Sequence, residues 1–294
     1  MPVSHLLLAL VVVMIWGSNF VVIRWGLAEF SPMLFAALRF SLSSLPLLAF
    51  MARPAVAWWR LAAFGLLIGV GQFGLLFLAM KADISPGLAS LVVQTQALFT
   101  IALVMWLHRE HPRPAQWPAF GLAAAGMGWI GWHAMDTPTG AGLNGASLLG
   151  LTLVLVAALC WALGNLVARG TGRVSALGFV VWSSLFAVPP LWLLAWFTEG
   201  GGPAITQALA HADWVGWAAV AWQAVGNTLF GYGVWSWLLV RHPAATVAPL
   251  ALLVPLFGMA ASAALLGESL PGWKLGAAAL VLAGLLLNIW VTRR

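Results

Sequence analysis

Leu265-Leu266-Gly267-Glu268 closes a long apolar run, and 158 positions upstream Leu107-His108-Arg109-Glu110 closes another. The same offset links Gly126 to Gly284 and Phe99 to Phe257. Nearer the start of each half, Trp16 and Arg24 recur as Trp161 and Arg169, both pairs eight residues apart. The chain therefore reads as two copies of one unit. If each copy holds an odd number of membrane crossings, the second must insert upside down relative to the first. Many secondary transporters build two gates around one central site in this way.

Composition names the solvent. The 294 residues are 63% hydrophobic and only 7% charged, with a mean hydropathy of +0.99. Soluble domains carry about 25% charged residues, so this chain has too few charges to cover a water-facing surface. The net charge of +6 comes from bases scattered at the ends of apolar runs. No basic stripe with stacking aromatics occurs, which argues against a nucleic-acid partner. The single cysteine, Cys160, allows no intrachain disulfide, and its place beside Trp161 reads as packing. Met1 to His5 lacks a basic n-region, so the first apolar run is expected to be a retained span rather than a signal peptide.

A membrane helix needs about 20 mostly apolar residues. Breaking the chain at charges and Gly/Pro clusters gives about ten such runs, near 5–25, 32–51, 61–80, 85–107, 115–133, 147–168, 175–197, 213–239, 244–266 and 272–291. The expected fold is an all-α integral membrane protein with ten transmembrane helices, a 5+5 inverted repeat around a central cavity. The halves are 1–140 and 141–294, five helices each. With a cytoplasmic N-terminus, the inner loops hold Arg53, Arg60, Arg109, Arg113, Arg169, Arg173, Arg241, Arg293 and Arg294, against Arg24, Lys81 and Lys274 outside. The positive-inside rule selects that orientation, with both termini cytoplasmic in an inner (plasma) membrane. It places Glu110 inside and Glu268 in an outer loop, as inversion requires.

The residues that now accumulate resemble the drug/metabolite transporter superfamily, EamA type. They are Trp16-Gly17-Ser18-Asn19-Phe20 in the first span, Leu38-Arg39-Phe40 in the second, and the paired segments at Glu110 and Glu268. The likeness covers nearly the whole chain and makes the halves two EamA-like repeats. Its Trp-rich character further resembles the bacterial aromatic amino-acid exporters. Arg39 has no twin, and Trp16-x-x-Asn19 becomes Trp161-x-x-x-Asn165, so the halves diverge where a site would lie.

Polar groups retained inside spans usually face a partner or a water-filled cavity. Trp16 and Asn19 share one face of the first helix, and Trp161 and Asn165 share one face of the sixth. Gln72 lies in the third span with Phe73 and Phe77, Gln94 and Gln96 in the fourth, and Gln223, Asn227 and Tyr232 in the eighth. One reading is a cavity with amide edges for a polar head and aromatic walls for an apolar body. The other is interhelical glue, worth about 1–2 kcal/mol or less per amide. The expected substrate-binding set is Trp16, Asn19, Gln72, Phe73, Phe77, Gln94, Phe99, Trp161, Asn165, Gln223, Asn227 and Tyr232. Arg39 could hold a substrate carboxylate, bond backbone carbonyls, or snorkel outward. Pro249 and Pro255 interrupt the ninth span, as a gate or a static kink. At offset 158 their twins are Leu91 and Ala97, so only one of the two matched helices is expected to bend. Gly65 and Gly69 suit a close helix contact, and Gly121/Ala125 and Ala279/Ala283 suggest the same in the fifth and tenth spans. Trp222, Trp235 and Trp237 are deep enough to line a pocket.

The absences also bound function. No acidic residue lies near the middle of a span, so facilitated diffusion or weak coupling is expected rather than obligate proton antiport. Gly267-x-x-x-x-Gly272-Trp273-Lys274 puts Trp where a phosphate-binding loop needs Lys, and no cofactor or metal is expected. A membrane-embedded transferase would need a nucleophile–base pair or metal set, and none stands within the spans. The expected function is secondary transport of small amphiphilic metabolites, foremost aromatic or other apolar amino acids, out of the cytoplasm by alternating access. A multidrug or other metabolite carrier of the same superfamily is the alternative. The expected partners are a small-molecule substrate and membrane lipids, with a homodimer left open.

Overall fold

Hydrocarbon offers the backbone no hydrogen-bond partners, so long apolar runs must satisfy their own N–H and C=O groups as helices. The computed structural model describes residues 1–108, 114–138, 145–169, 171 and 174–292, and within these the regular elements are helical. In chain order they are α1 (Val3–Glu29), α2 (Pro32–Leu48), α3 (Trp58–Lys81), α4 (Pro86–Leu107), α5 (Trp117–Met135), α6 (Leu148–Arg169), α7 (Ala176–Thr198), α8 (Gly201–His211), α9 (214–241), α10 (Pro249–Leu266) and α11 (Gly272–Thr292). An isolated antiparallel bridge joins Ile84 and Ala146. Among the described residues seven helices, α1, α3, α4, α6, α7, α10 and α11, are long and apolar enough to cross a membrane by length and composition. α2, with 17 residues, is shorter; α5 and α9 occupy the other two expected runs.

The stretch Thr198–Asp213, expected as a loop, contains α8. Gly200 and Gly201 take φ of 93° and 71°, a region glycine enters without steric cost, and this lets α7 turn back into α8. Asp213 then caps α9, accepting from the backbone N–H of Val215 (2.8 Å) and Gly216 (3.0 Å).

Four helices depart from regular geometry. α3 widens to a π-helix over Leu66–Gly74, and α9 does so over Trp222–Phe230. α4 tightens to a 3₁₀ turn over Val93–Thr95, and α10 is entered through one over Ala248–Leu253. The proline argument expected a break only in α10. α4, whose one proline, Pro86, only opens the helix, breaks at the matching level, where the Thr95 hydroxyl donates to the Val92 carbonyl at 2.7 Å and draws the turn inward.

Close packing relies on small residues, because apolar lipid provides little drive for helices to associate. A β-carbon at Gly126 would lie 2.8 Å from the Ala277 carbonyl oxygen and 3.0 Å from the Val281 nitrogen. One at Gly284 would lie 2.6 Å from the Ala119 oxygen and 2.8 Å from the Ala123 nitrogen. Each of these three residue pairs is 158 positions apart, so α5 and α11 meet through reciprocal copies of one contact. Gly121, expected to serve this purpose, has open space, and Ala125, Ala279 and Ala283 are exposed. Gly65 and Gly69 do face α7, against the Ser183 carbonyl and Ala187.

Carboxylates tie the helix ends together at one end of the bundle. Glu199, at the end of α7, accepts from the backbone N–H of Met33 (2.8 Å) and Leu34 (3.0 Å) at the start of α2. Asp83 accepts from Ser147 beside α6 (3.0 Å). Glu268, expected in a loop, does lie in the one between α10 and α11, but it is buried there. It accepts from Ser85 Oγ (2.6 Å), the Gly87 N–H (2.9 Å), Lys274 Nζ (2.9 Å) and the Ser262 hydroxyl. Both members of the Lys274–Glu268 ion pair have fully buried side chains. A capping carboxylate offsets the unpaired N–H groups and the positive dipole end of α4. Glu110, its counterpart in sequence, lies outside the described residues.

Candidate functional site

A cavity of about 300 Å³ lies where the irregular turns of α3, α4, α9 and α10 approach α1 and α6. From α1 it receives Trp16 and Asn19, from the π-turn of α3 Gln72 and Phe73, and from α4 Gln94. Trp161 and Asn165 come from α6, and Asn227 and Tyr232 from α9. Nine of the twelve expected binding residues thus meet around one space. π-turns are rare and recur at functional sites because the wider turn re-aims the side chains on it. Here Thr228 Oγ1 donates to the Gln223 carbonyl five residues back at 2.8 Å.

The remaining three point elsewhere. Phe77 is fully buried and stacks on Phe35 with ring centroids 5.0 Å apart. Phe99 packs on the hydrophobic core. Gln223 spends its amide on Asn19, donating to Oδ1 at 2.8 Å and accepting from Nδ2 at 3.5 Å. This pair is the interhelical glue that the alternative reading anticipated. Trp222 and Trp237 are exposed rather than pocket-lining. Arg39 is outside the cavity wall, with its guanidinium carbon 3.5 Å from the centroid of the Phe73 ring. Pro249 sits in the 3₁₀ turn of α10 and Pro255 opens the regular helix after it. Ala251 and Val254, between the prolines, line the cavity.

Two further wall residues, Gln96 and Trp235, lie outside the expected binding set although the sequence places both deep in their spans. Gln96 accepts from Asn165 Nδ2 at 2.9 Å and faces the cavity with Gln94, although two residues apart they would diverge on a regular helix. The 3₁₀ turn ending at Thr95 brings them round. Trp235 joins through Trp16, ring centroids 5.1 Å apart, and Trp16 Nε1 donates to the Asn227 carbonyl at 3.1 Å. Among the described residues, no Asp, Glu, Lys or Arg lines this space.

The sequence signature of this architecture is also found elsewhere. The EamA-like transporter family matches residues 3–132 and again 148–290. The chain belongs to the EamA-like transporter family. A "Probable amino-acid metabolite efflux pump" of Salmonella typhimurium (strain LT2) is 40% identical over 289 residues, spanning 96% of this chain and 94% of that one. A protein of the same name from Escherichia coli (strain K12) is 37% identical, over 97% and 95% of the two chains. The "Uncharacterized inner membrane transporter YedA" of that strain is 29% identical over 56% of this chain and 52% of its own. One crystal structure superposes on 100% of this chain and 99% of its own with a TM-score of 0.62 at 18% identity, a likeness of fold.

This EamA-like transporter is sealed more tightly at one end than at the other. In α4 every residue from Pro86 to Thr95 is buried, whereas none from Gln96 to Met105 is. On the sealed side Arg24 donates to the carbonyls of Met80 (2.9 Å) and Lys81 (2.7 Å), and Lys81 donates to the Leu27 carbonyl. Near the chain start, His5 and His242 share a 2.7 Å contact between ring nitrogens. The His242 value is held below the usual 6.5 by partial burial, His5, the amino terminus and Arg241. The neutral ring is therefore favoured in the fold. This contribution to stability is present above about pH 6.5 and is lost as pH falls through the lowered value. Thermal midpoints in detergent should decline from pH 7 toward about pH 5, and His242→Gln should flatten that segment of the profile. An unchanged slope in the variant would assign the decline to other groups.

Proposed function

We propose that this EamA-like transporter moves small amphiphilic metabolites, foremost amino acids with aromatic or other apolar side chains, out of the cytoplasm by alternating access. The observation that carries the reading is the cavity itself. Trp16, Trp161, Tyr232 and Phe73 supply apolar and stacking walls, and Gln72, Gln94, Asn165 and Asn227 supply neutral polar edges. Neutral amides can meet a zwitterion's polar head without adding a charge to the cavity wall. The relatives named as amino-acid metabolite efflux pumps point the same way.

Ten crossings arranged as a 5+5 inverted repeat, with halves 1–140 and 141–294, account for several observations together. The family signature occurs twice, the α5–α11 contact is reciprocal, and π- and 3₁₀-turns recur at matching levels. The basic bias of the opposite end supports a cytoplasmic location for both termini in an inner-membrane protein. The present conformation is then open toward the cytoplasm, and the proline-flanked turn of α10 is the hinge of its gate. An uncharged wall supports facilitated diffusion rather than proton antiport.

Counterflow in proteoliposomes with a panel of labelled amino acids tests the reading. Aromatic and large apolar amino acids should exchange, and an imposed pH gradient should not concentrate them. Gln72→Ala and Trp161→Ala should each lower exchange roughly tenfold, the worth of about 1.4 kcal/mol. Failure of every amino acid to move would discard the substrate class, and pH-driven accumulation would discard the uncoupled mechanism.

A further inference from the structure

The main cavity has a neighbour. A second space of about 20 Å³, room for a single water, is bounded by Arg39 and Thr228 and shares Phe73 and Tyr232 with the main cavity. Arg39 is 1% exposed. Its Nη2 donates to Thr228 Oγ1 at 3.1 Å, while Nε and Nη1 are buried without a hydrogen-bond partner among the described residues. The described carboxylates hydrogen-bonded at the sealed end, Glu29, Asp83, Glu199, Asp213 and Glu268, are all engaged there, and none pairs with Arg39. The rings of Phe73 and Phe40, 3.5 and 4.9 Å from the guanidinium carbon, offset only part of the cost of a desolvated cation.

A second unspent group adjoins Phe73. Gln72 lines the main cavity, and its Oε1 is buried without a hydrogen-bond partner. Buried polar atoms in folded proteins are nearly always satisfied, so orphans invite a ligand. The two orphans differ in kind: Arg39 offers charged donors and Gln72 an acceptor. A carboxylate satisfies the first and an ammonium the second, and an α-amino acid carries both on one carbon. We propose that Arg39 and Gln72 form the head-group site for an α-amino acid. Gln72 receives the ammonium, and the Phe73 ring turns aside to admit the carboxylate to Arg39. The side chain then rests among Trp16, Trp161 and Tyr232. This rests on the transport reading above and names the atoms that select its substrate.

The test is competition against labelled phenylalanine exchange in proteoliposomes. Phenylalaninamide lacks the carboxylate and 3-phenylpropionate lacks the ammonium. Against the wild type each should compete at least about tenfold more weakly than phenylalanine. Arg39→Gln should bring the amide to near parity with phenylalanine, and Gln72→Ala should do so for the acid. If either variant fails to fold, the wild-type comparison still decides. Amide or acid competing as well as phenylalanine overturns this head-group site and leaves amino-acid transport standing. Absence of any phenylalanine exchange overturns both.

Discussion

Glu268→Ala should cost the protein about 3–5 kcal/mol, the usual penalty for removing one partner of a buried ion pair. The loss has two parts. Lys274 would keep a fully buried ammonium whose remaining partner is the Ser269 carbonyl at 3.0 Å. The start of α4 would also lose its cap, since the Gly87 N–H and the hydroxyls of Ser85 and Ser262 all donate to this carboxylate. Glu268→Gln retains the shape and part of the hydrogen bonding but not the charge, so it should fall in between. Pairing Glu268→Gln with Lys274→Met removes the stranded cation and should recover much of the loss. Thermal unfolding in detergent micelles, read as loss of monodisperse protein, gives the order of the three. A double variant no better than Glu268→Ala would mean that capping, not charge pairing, dominates.

Gly65→Ala should be nearly as damaging, although it adds one methyl group. The new β-carbon would sit 2.0 Å from the Ser183 carbonyl oxygen, a backbone atom of α7. No rotamer relieves a backbone clash, so α3 and α7 must separate along a contact that lies beside the π-turn carrying Gln72 and Phe73. Overpacking typically costs about 1–3 kcal/mol, and this geometry belongs at the upper end. Gly121→Ala is the control, because nothing lies within 4 Å of its β-position. By helix propensity it should be neutral or gain up to about 1 kcal/mol. Equal midpoints for the two variants would contradict the close packing of α3 on α7.

The contrast between these glycines shows what was legible in the sequence. Gly65 and Gly69 follow small-residue spacing, and they do form a close contact. Gly121 follows it equally well and meets nothing, because spacing reports which residues share a face and not what the face meets. Apolar runs bounded the helices well, since chain in hydrocarbon has little choice of backbone. They missed α8, whose polar and glycine-rich start reads as a loop. Nine cavity residues were recognisable as polar or aromatic groups retained in spans, but Gln223 and Asn19 show the limit of that rule. A buried amide pair satisfies itself and looks the same in sequence as a binding group. Gln96 stood outside the expected binding set because the 3₁₀ turn at Val93–Thr95, which turns it to the cavity, arises from local bonding, not from proline. Glu268 and Lys274 were read as loop charges, because neutralisation by a partner six residues away is invisible until the turn between them is built.

Alternating access requires one cavity to open in turn to each side of the membrane. Ile23 lines that cavity, is fully buried, and lies toward the sealed end beyond Trp16 and Asn19. Because Cys160 is the only cysteine, Ile23→Cys in a Cys160→Ala background gives one reporter thiol. The measurement is its reaction with a membrane-impermeant thiol reagent added at the carboxylate-clamped face, with and without an exchangeable aromatic amino acid. Alternating access predicts slow labelling at rest that quickens during substrate exchange. A thiol that stays unreactive from that face while the same proteoliposomes exchange substrate would contradict it.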